Sequence, residues 1–480
     1  MFYLKRGCIV CLGIVGLLLC ATFLVTVDGF ADEPLSDGLV NTAAASPMPT
    51  GNGDFSELAS DGEGKANWFP SIAIDGDGNL HVVWSELDVA GGFKSSILYR
   101  MKYADSWMPI ETVAEDIGAM LTTPSLALDS SGNVHVAWNS DRNESGSGTD
   151  RDIFYKVRTN GEWTATELVS TESDESSTMP SLAVDVHGNV HIAWTDASDI
   201  PGTEDNVSVF YKMKTALGWT STRVIQSGAD SICKNAKLVV GSNGDVHISW
   251  IEIIGEEYVH HIKHRMKQNG QWGDVETVRQ SPIDIDDFTG IHIGLDSNGR
   301  LHLMWSENDY MNEHGTDENY NTWNYHTVRD NGVWSSPELI PVGIYDSSIT
   351  LSIDKDDRLH VVIAGLPLDH DPDNQTVAET IHIGYITYHE GSWSEYGFVD
   401  LDRMEHKMIT SIVVDNERNV HVTWMDMPST GGLSIEIRYA MIDNSELYAV
   451  SPEGGVILGV FVVFIAGLFL ISMIVMRMRS

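Results

Sequence analysis

Asp369, Asp371 and Asp373 stand at alternate positions in a short run closed by Asn374. Alternate carboxylates in a loop converge on a hard cation, and calcium takes six to eight oxygen ligands at about 2.3–2.6 Å. The run lacks the glycine and the distal glutamate of a full EF-hand loop, so it reads either as part of a calcium shell or as a solvated acidic loop. Asp75, Asp77 and Asn79 make a similar fragment, but equivalent positions elsewhere in the chain read Ser-Ser-Gly-Asn or Val-His-Gly-Asn. That composition belongs to a hairpin turn. A third set is formed by His81, His135, His191, His247, His302, His360 and His421, which recur about every 55 residues. Imidazole ligates metals, but convergent ligation needs every nitrogen within about 2.1 Å of one ion. Histidines on separate repeats are held apart, so each is expected to hydrogen-bond a backbone group or a turn aspartate instead.

The elements that carry these histidines are the repeats themselves. The phrase reads PSIAIDGDGNLHVVW from Pro70, PSLALDSSGNVHVAW from Pro124, PSLAVDVHGNVHIAW from Pro180, AKLVVGSNGDVHISW from Ala236, IHIGLDSNGRLHLMW from Ile291, ITLSIDKDDRLHVVI from Ile349 and ITSIVVDNERNVHVTW from Ile409. A fixed period of this size marks a repeat architecture. Each phrase contains a strand, a turn and a second strand through histidine to tryptophan, and an aromatic third strand such as ILYRMKY, IFYKVRT or VFYKMKT follows a loop. A polar turn then leads to a second tryptophan (Trp107, Trp163, Trp219, Trp272, Trp334, Trp393) and a short closing strand such as IETV at Ile110. Four strands repeated seven times predict an all-β fold, a seven-bladed β-propeller. Trp84, Trp138, Trp194, Trp250, Trp305 and Trp424 are expected to fill the spaces between blades, with Ile363 in the sixth position.

The seventh repeat lacks the second tryptophan and the closing strand, whereas FSELAS (Phe55 to Ser60) precedes the first repeat and matches TELVS (Thr166 to Ser170). An N-terminal strand that closes the ring removes two free sheet edges. The predicted organisation is therefore a signal peptide over 1–31, a flexible linker over 32–53, a propeller over 54–445, a juxtamembrane linker over 446–454, a C-terminal transmembrane helix over 455–476 and a cytoplasmic tail over 477–480.

Both ends carry membrane signals. Lys5 and Arg6 precede an apolar run from Gly7 to Val27, and Gly29-Phe30-Ala31 offers a cleavage site. The run is longer than the usual signal core of about 7–15 residues, so an uncleaved anchor is the other reading. Gly455 to Met476 is uncharged and would extend about 33 Å as a helix, enough to span a bilayer. Arg477 and Arg479 on its far side place the tail in the cytoplasm and the propeller outside. Cys8, Cys11 and Cys20 fall in the N-terminal apolar run, which leaves Cys233 alone in the ectodomain without a disulfide partner. The sequons at Asn143, Asn206 and Asn374 all fall in loops between second and third strands.

A formal net charge of −40 argues against nucleic acid as a partner, because such a surface repels phosphate backbones. Much of the acid lies in the loops between second and third strands, such as Asn139 to Asp152, Thr195 to Asn206, Ser306 to Asn321 and Leu368 to Asn374. In a four-stranded blade these open on the same side as the connections between blades, so one face carries long acidic loops and the other tight turns. Loops on a rigid scaffold are where binding resides.

The D-x-x-G-N-x-H-V-x-W phrase resembles the BNR or Asp-box repeats of sialidase-like propellers, and the resemblance covers Asp54 to Asn444. It implies the propeller architecture. Sialidase-like catalysis would require an arginine cluster, a tyrosine activated by glutamate and an acid/base aspartate. The F/Y-R-I-P motif is absent, Arg100, Arg265 and Arg438 lie on third strands away from the axis, and Tyr99, Tyr155, Tyr211 and Tyr439 recur at one repeat position as packing residues would. No catalytic residue is assigned on this basis.

Two functions of different class follow. The favoured one is a membrane-anchored surface binding or adhesion module whose acidic loop face engages an extracellular glycan, protein or envelope component, with calcium as the one cofactor expected. The alternative is a sialidase-like or related glycoside hydrolase with two loop carboxylates about 5–9.5 Å apart in a central pocket. A purely structural envelope component is the third reading.

Overall fold

A computed structural model describes residues 57–442 apart from 62–64, 145–146, 149, 202, 204–205, 229, 256–258, 282–286, 310–320, 343, 368–381, 395–396, 399–405 and 428–433. The two apolar segments read as membrane signals, the linkers beside them and the tail lie outside the described residues. Among the described residues no helix is long and apolar enough to cross a membrane.

The described chain is all β, arranged as seven antiparallel sheets, one per repeat. Blade 1 runs from a first strand (Ala66–Ile74) to a second (Leu80–Asp88) and a third (Lys94–Tyr103). Its outer strand comes in two pieces, Ser106–Trp107 and Glu111–Ile117, both paired with the third strand. The sequence predicts a single closing strand, whereas blades 1 to 6 all divide it. The division has a local cause: after the tryptophan the next amide turns back onto the third strand, as Met108 N does to Met101 O at 2.8 Å, so the chain bulges before pairing resumes.

Blade 7 contributes His406–Val414, Val420–Met427 and Glu436–Ile442, and its outer strand is Glu57–Leu58 from the other end of the chain. Glu57 stands opposite Tyr439 and Leu58 opposite Arg438. The ring is closed as the FSELAS match predicts.

The core lies between blades. Trp84, Trp194, Trp250, Trp305 and Trp424 are fully buried, Trp138 nearly so, and Ile363 is equally enclosed. One cluster joins Val83, Ile97 and Tyr99 of blade 1 to Leu126, Val136 and Trp138 of blade 2, and another joins Met425 and Ile437 of blade 7 to Trp84 and Leu98 of blade 1. Each blade thus buries its apolar faces only against its neighbours, which makes closure a condition of stability.

The innermost strands share a further irregularity. Each contains a one-residue β-bulge against its second strand, as between Trp68 and Ser71 in blade 1 and between Lys234 and Lys237 in blade 4. The bulged residue has a positive φ in five blades, at Phe69, Thr123, Met179, Asn235 and Gly290. Only the last is glycine, so four side chains accept a conformation that costs of order 1–3 kcal/mol each.

Candidate functional site

The repeated histidines are structural. His81 Nδ1 lies 2.8 Å from the Tyr99 hydroxyl, while Nε2 faces Asp75 Oδ2 at 3.3 Å. The same arrangement recurs at His191, His360 and His421 with Tyr211, Tyr385 and Tyr439. In blades 4 and 5 a histidine replaces the tyrosine, so His247 meets His264 at 3.1 Å and His302 meets His326 at 3.0 Å. Burial lowers the pKa of His81, offset in part by Asp75, and pushes His247 down to about 3. Asp75 also caps its own turn, accepting from the amides of Asp77 and Asn79 and from the Asn79 side chain. Burial alone would raise its pKa, yet these bonds and His81 hold it below the ordinary carboxylate value. Asp75, Asp77 and Asn79 are therefore a hairpin turn, as expected, and the tight-turn face is committed to holding the blades.

At the opposite end of the second strand an acid follows two residues after the tryptophan in five blades: Glu86, Asp196, Glu252, Glu307 and Asp426, all buried. Four of them meet a cation: Glu86 with Lys65 at 3.1 Å, Glu252 with Lys263 at 3.3 Å, Glu307 with Arg279 at 2.9 Å and Asp426 with Arg438 at 2.7 Å. Asp196 is instead held by neutral donors: Ser177 Oγ at 2.6 Å, Trp194 Nε1 at 2.8 Å and Ser198 N at 2.8 Å. Near it, at the mouth between blades 2 and 3, Asp152 accepts a 2.6 Å bond from Ser170 Oγ. Burial, with like charge from Asp150 and Asp196, pushes the Asp152 pKa up to about 6. Burial raises Glu86 as well, but Glu86 has Lys65 beside it, whereas the groups that act on Asp152 include no cation, and it is set to hold a proton, the property of a general acid.

The central channel is lined by the first strands. One residue per blade, just beyond the bulge, occupies an equivalent rung: Ser71, Ser125, Ser181, Lys237, His292, Thr350 and Ser411, paired across to Val83, Ala137, Ala193, Ser249, Met304, Val362 and Thr423. The hydroxyls tie blade to blade. Ser411 accepts from Ile72 N at 3.2 Å, Ser125 from Leu182 N at 3.1 Å and Ser181 from Leu238 N at 2.9 Å. Five rungs carry a hydroxyl, and the two adjacent exceptions are basic.

Asp369, Asp371 and Asp373 lie outside the described residues. Among the described residues no group of three or more His, Cys, Asp or Glu side chains is placed to hold a metal. Of the sequons, Asn143 is exposed, whereas Asn206 is half-buried and its side chain donates to Gly228 O at 3.1 Å. Arg100 points to the backbone oxygens of Met108 and Ala59, on the outer side of the blade as expected. Cys233 is buried, and burial pushes its thiol above the ordinary range. Asp152 enters the sequence reading only as the end of an acidic loop, and the two basic rungs do not enter it. The rungs leave a trace in the aligned repeats, since PSIAI, PSLAL and PSLAV give way to AKLVV and IHIGL at that position.

No family profile matches the chain, and no curated protein matches it. Solved structures do. The polysaccharide lyase Uly1 superposes with a TM-score of 0.51 at 10% identity, over 85% of this chain and 94% of that one. A protein of unknown function from Dyadobacter fermentans gives 0.46 at 12% identity, over 69% and 97%. The α-L-arabinanase of Penicillium chrysogenum, complexed with arabinobiose, gives 0.42 at 11%, over 82% and 97%. At such identities the likeness concerns the fold.

Proposed function

We propose that this chain is a glycan-binding propeller displayed at the cell surface, exported by residues 1–31, anchored by residues 455–476, and recognising its ligand through the face that carries the loops between second and third strands. The observation that carries this reading is the division of labour between the two faces. The tight-turn face repeats one Asp–His–Tyr clasp, with histidine for tyrosine in blades 4 and 5 and Gly241 for the aspartate in blade 4, and is occupied by its own hydrogen bonds. The loop face differs from blade to blade on a scaffold of fixed geometry, and four of its five recurrent acids are already neutralised by built-in cations. Calcium held by Asp369, Asp371 and Asp373 is part of the proposal, since a divalent ion bridges acidic loops to sugar hydroxyls.

The test is a glycan array and a chromogenic-glycoside screen of the full chain, with calcium and with chelator. Binding without turnover, abolished by chelation and by Asp371→Asn, is the expected result. Turnover would replace this reading by the glycoside-cleaving one, which Asp152 favours with its raised pKa. In that case Asp152→Asn should lower kcat by at least about a hundredfold, the usual contribution of a general acid.

A further inference from the structure

We propose that Lys237 and His292, on adjacent blades inside the central channel, form a binding site for a small oxyanion, the chemistry of a carboxylate or sulfate group. The site is independent of the loop-face reading. Three observations support it.

The first is position. The belt holds hydroxyls at Ser71, Ser125, Ser181, Thr350 and Ser411, and only the rungs of blades 4 and 5 depart from it. Both departures introduce a nitrogen donor, and they stand side by side.

The second is charge. The chain has 69 acidic residues against 29 Lys and Arg. Lys102, Lys212, Lys263 and Arg279 each meet a carboxylate. Lys237 meets none among the described residues: burial alone acts on it and lowers its pKa. Burial also pushes His292 down to about 3, and the one charge that acts on it is Lys237. Both side chains are half-buried, as a channel wall requires. A cation held there without a counter-ion is costly, and an anion offsets that cost.

The third is the backbone. The amides of Leu182 and Leu238 reach the hydroxyl of the preceding blade's rung, Ser125 and Ser181. At the next step around the ring that rung is Lys237, whose ammonium has no acceptor. The amide in the equivalent place is that of Ile293, which on this proposal serves as a third donor. An ammonium, an imidazole N–H and an amide are the donor set that an oxyanion takes.

The experiment is thermal unfolding of the full chain titrated with sodium sulfate, sodium acetate and sodium galacturonate, each against sodium chloride at equal ionic strength. A saturable rise in midpoint with sulfate or acetate assigns the site to free anions, and a rise with galacturonate alone assigns it to an acidic group on a larger ligand. Lys237→Ser installs the hydroxyl of the neighbouring rungs and should weaken the response about tenfold or more. His292→Ser should weaken it less. A response unchanged in Lys237→Ser, or no saturable rise with any of the three salts, overturns the proposal. Should Lys237→Ser fail to fold, the His292 imidazole provides a second readout by NMR: bound anion should raise its pKa, and an unmoved titration counts against the site.

Discussion

Tyr385→Phe removes only the hydroxyl that meets His360 Nδ1 at 2.6 Å in the interior of blade 6. It leaves a buried ring nitrogen without its partner, so the loss should be about 1–3 kcal/mol, read as a lower urea midpoint with unchanged slope. The second partner, Asp354, is buried beside His360 at 3.1 Å. Burial would raise its carboxyl, yet His360 and the turn amides hold it down to about 2. Asp354→Asn should therefore destabilise the blade by a similar amount at pH 7 and by less at pH 3, where the unfolded-state carboxyl is itself largely protonated. The turn aspartate was legible because it stands six residues before six of the seven repeat histidines, with Gly241 in its place before His247. The tyrosine was legible only as a recurrence. Its spacing from the histidine varies from 18 to 25 residues with loop length, so nothing along the chain shows that ring and hydroxyl meet across a strand pair.

At the scale of strands, the outer strand carries an inter-blade clasp. Glu111 of blade 1 accepts two bonds from the Arg158 guanidinium and one from Trp163 Nε1, both of blade 2. Glu276 does the same for Arg329 and Trp334. Glu57, on the closing strand, takes Lys102 and Trp107 of blade 1 at 2.9 and 2.7 Å. The strand from the N-terminus thus supplies both the missing edge of blade 7 and the same carboxylate that Glu111, Glu167 and Glu276 provide at the outer edges of blades 1, 2 and 4. Glu111→Ala should cost about 1–2 kcal/mol, because a bidentate pair in a partly exposed site is worth more than an ordinary surface bridge. Removing residues 57–60 should cost far more, since Ala59 is fully buried and its amide, like that of Ser60, bonds Ile437 O. The freed edge of Glu436–Ile442 would then seek another chain, so the expected outcome is a lower unfolding midpoint together with concentration-dependent light scattering. The FSELAS to TELVS match already placed Glu57 level with Glu167, which likewise takes Trp219 at 2.8 Å. The split of the outer strand was not legible: pieces of two residues have no periodicity to read.

For the whole ring, sevenfold repetition made the architecture readable from the sequence, and the same repetition concealed the site. Functional residues are departures from the repeat, and a pattern sought for its regularity shows Lys237 and His292 only as variants of an apolar strand. Asp152 was equally hidden, because its pKa is raised first by burial, and Ser170 and Asp196, which also act on it, come from separate segments that only the fold brings together. Repetition also multiplies any linkage between protons and folding. Burial lowers the pKa of all seven repeat histidines, to about 3 at His247 and about 4 at His302. Each is neutral in the folded ring, whereas the unfolded chain takes up protons near the ordinary value of about 6.5. Below that value the unfolded state binds more protons, so stability falls with pH until the folded pKa is reached. Each group fully inside its window contributes about 1.4 kcal/mol per pH unit, and several act together. The turn aspartates Asp75, Asp129, Asp185 and Asp354, held below their ordinary value, extend the loss under pH 4. The ring should accordingly be most stable above pH 7 and lose several kcal/mol between pH 6.5 and pH 5, despite the relief of a net charge of −40 on acidification. Urea unfolding at pH 7.5, 6.5, 5.5 and 4.5 measures this directly. A midpoint that rises on acidification would mean that charge repulsion outweighs the histidines. A fall that is moderated by His247→Gln and His302→Gln, which cannot take up a proton, would locate the loss in the clasps.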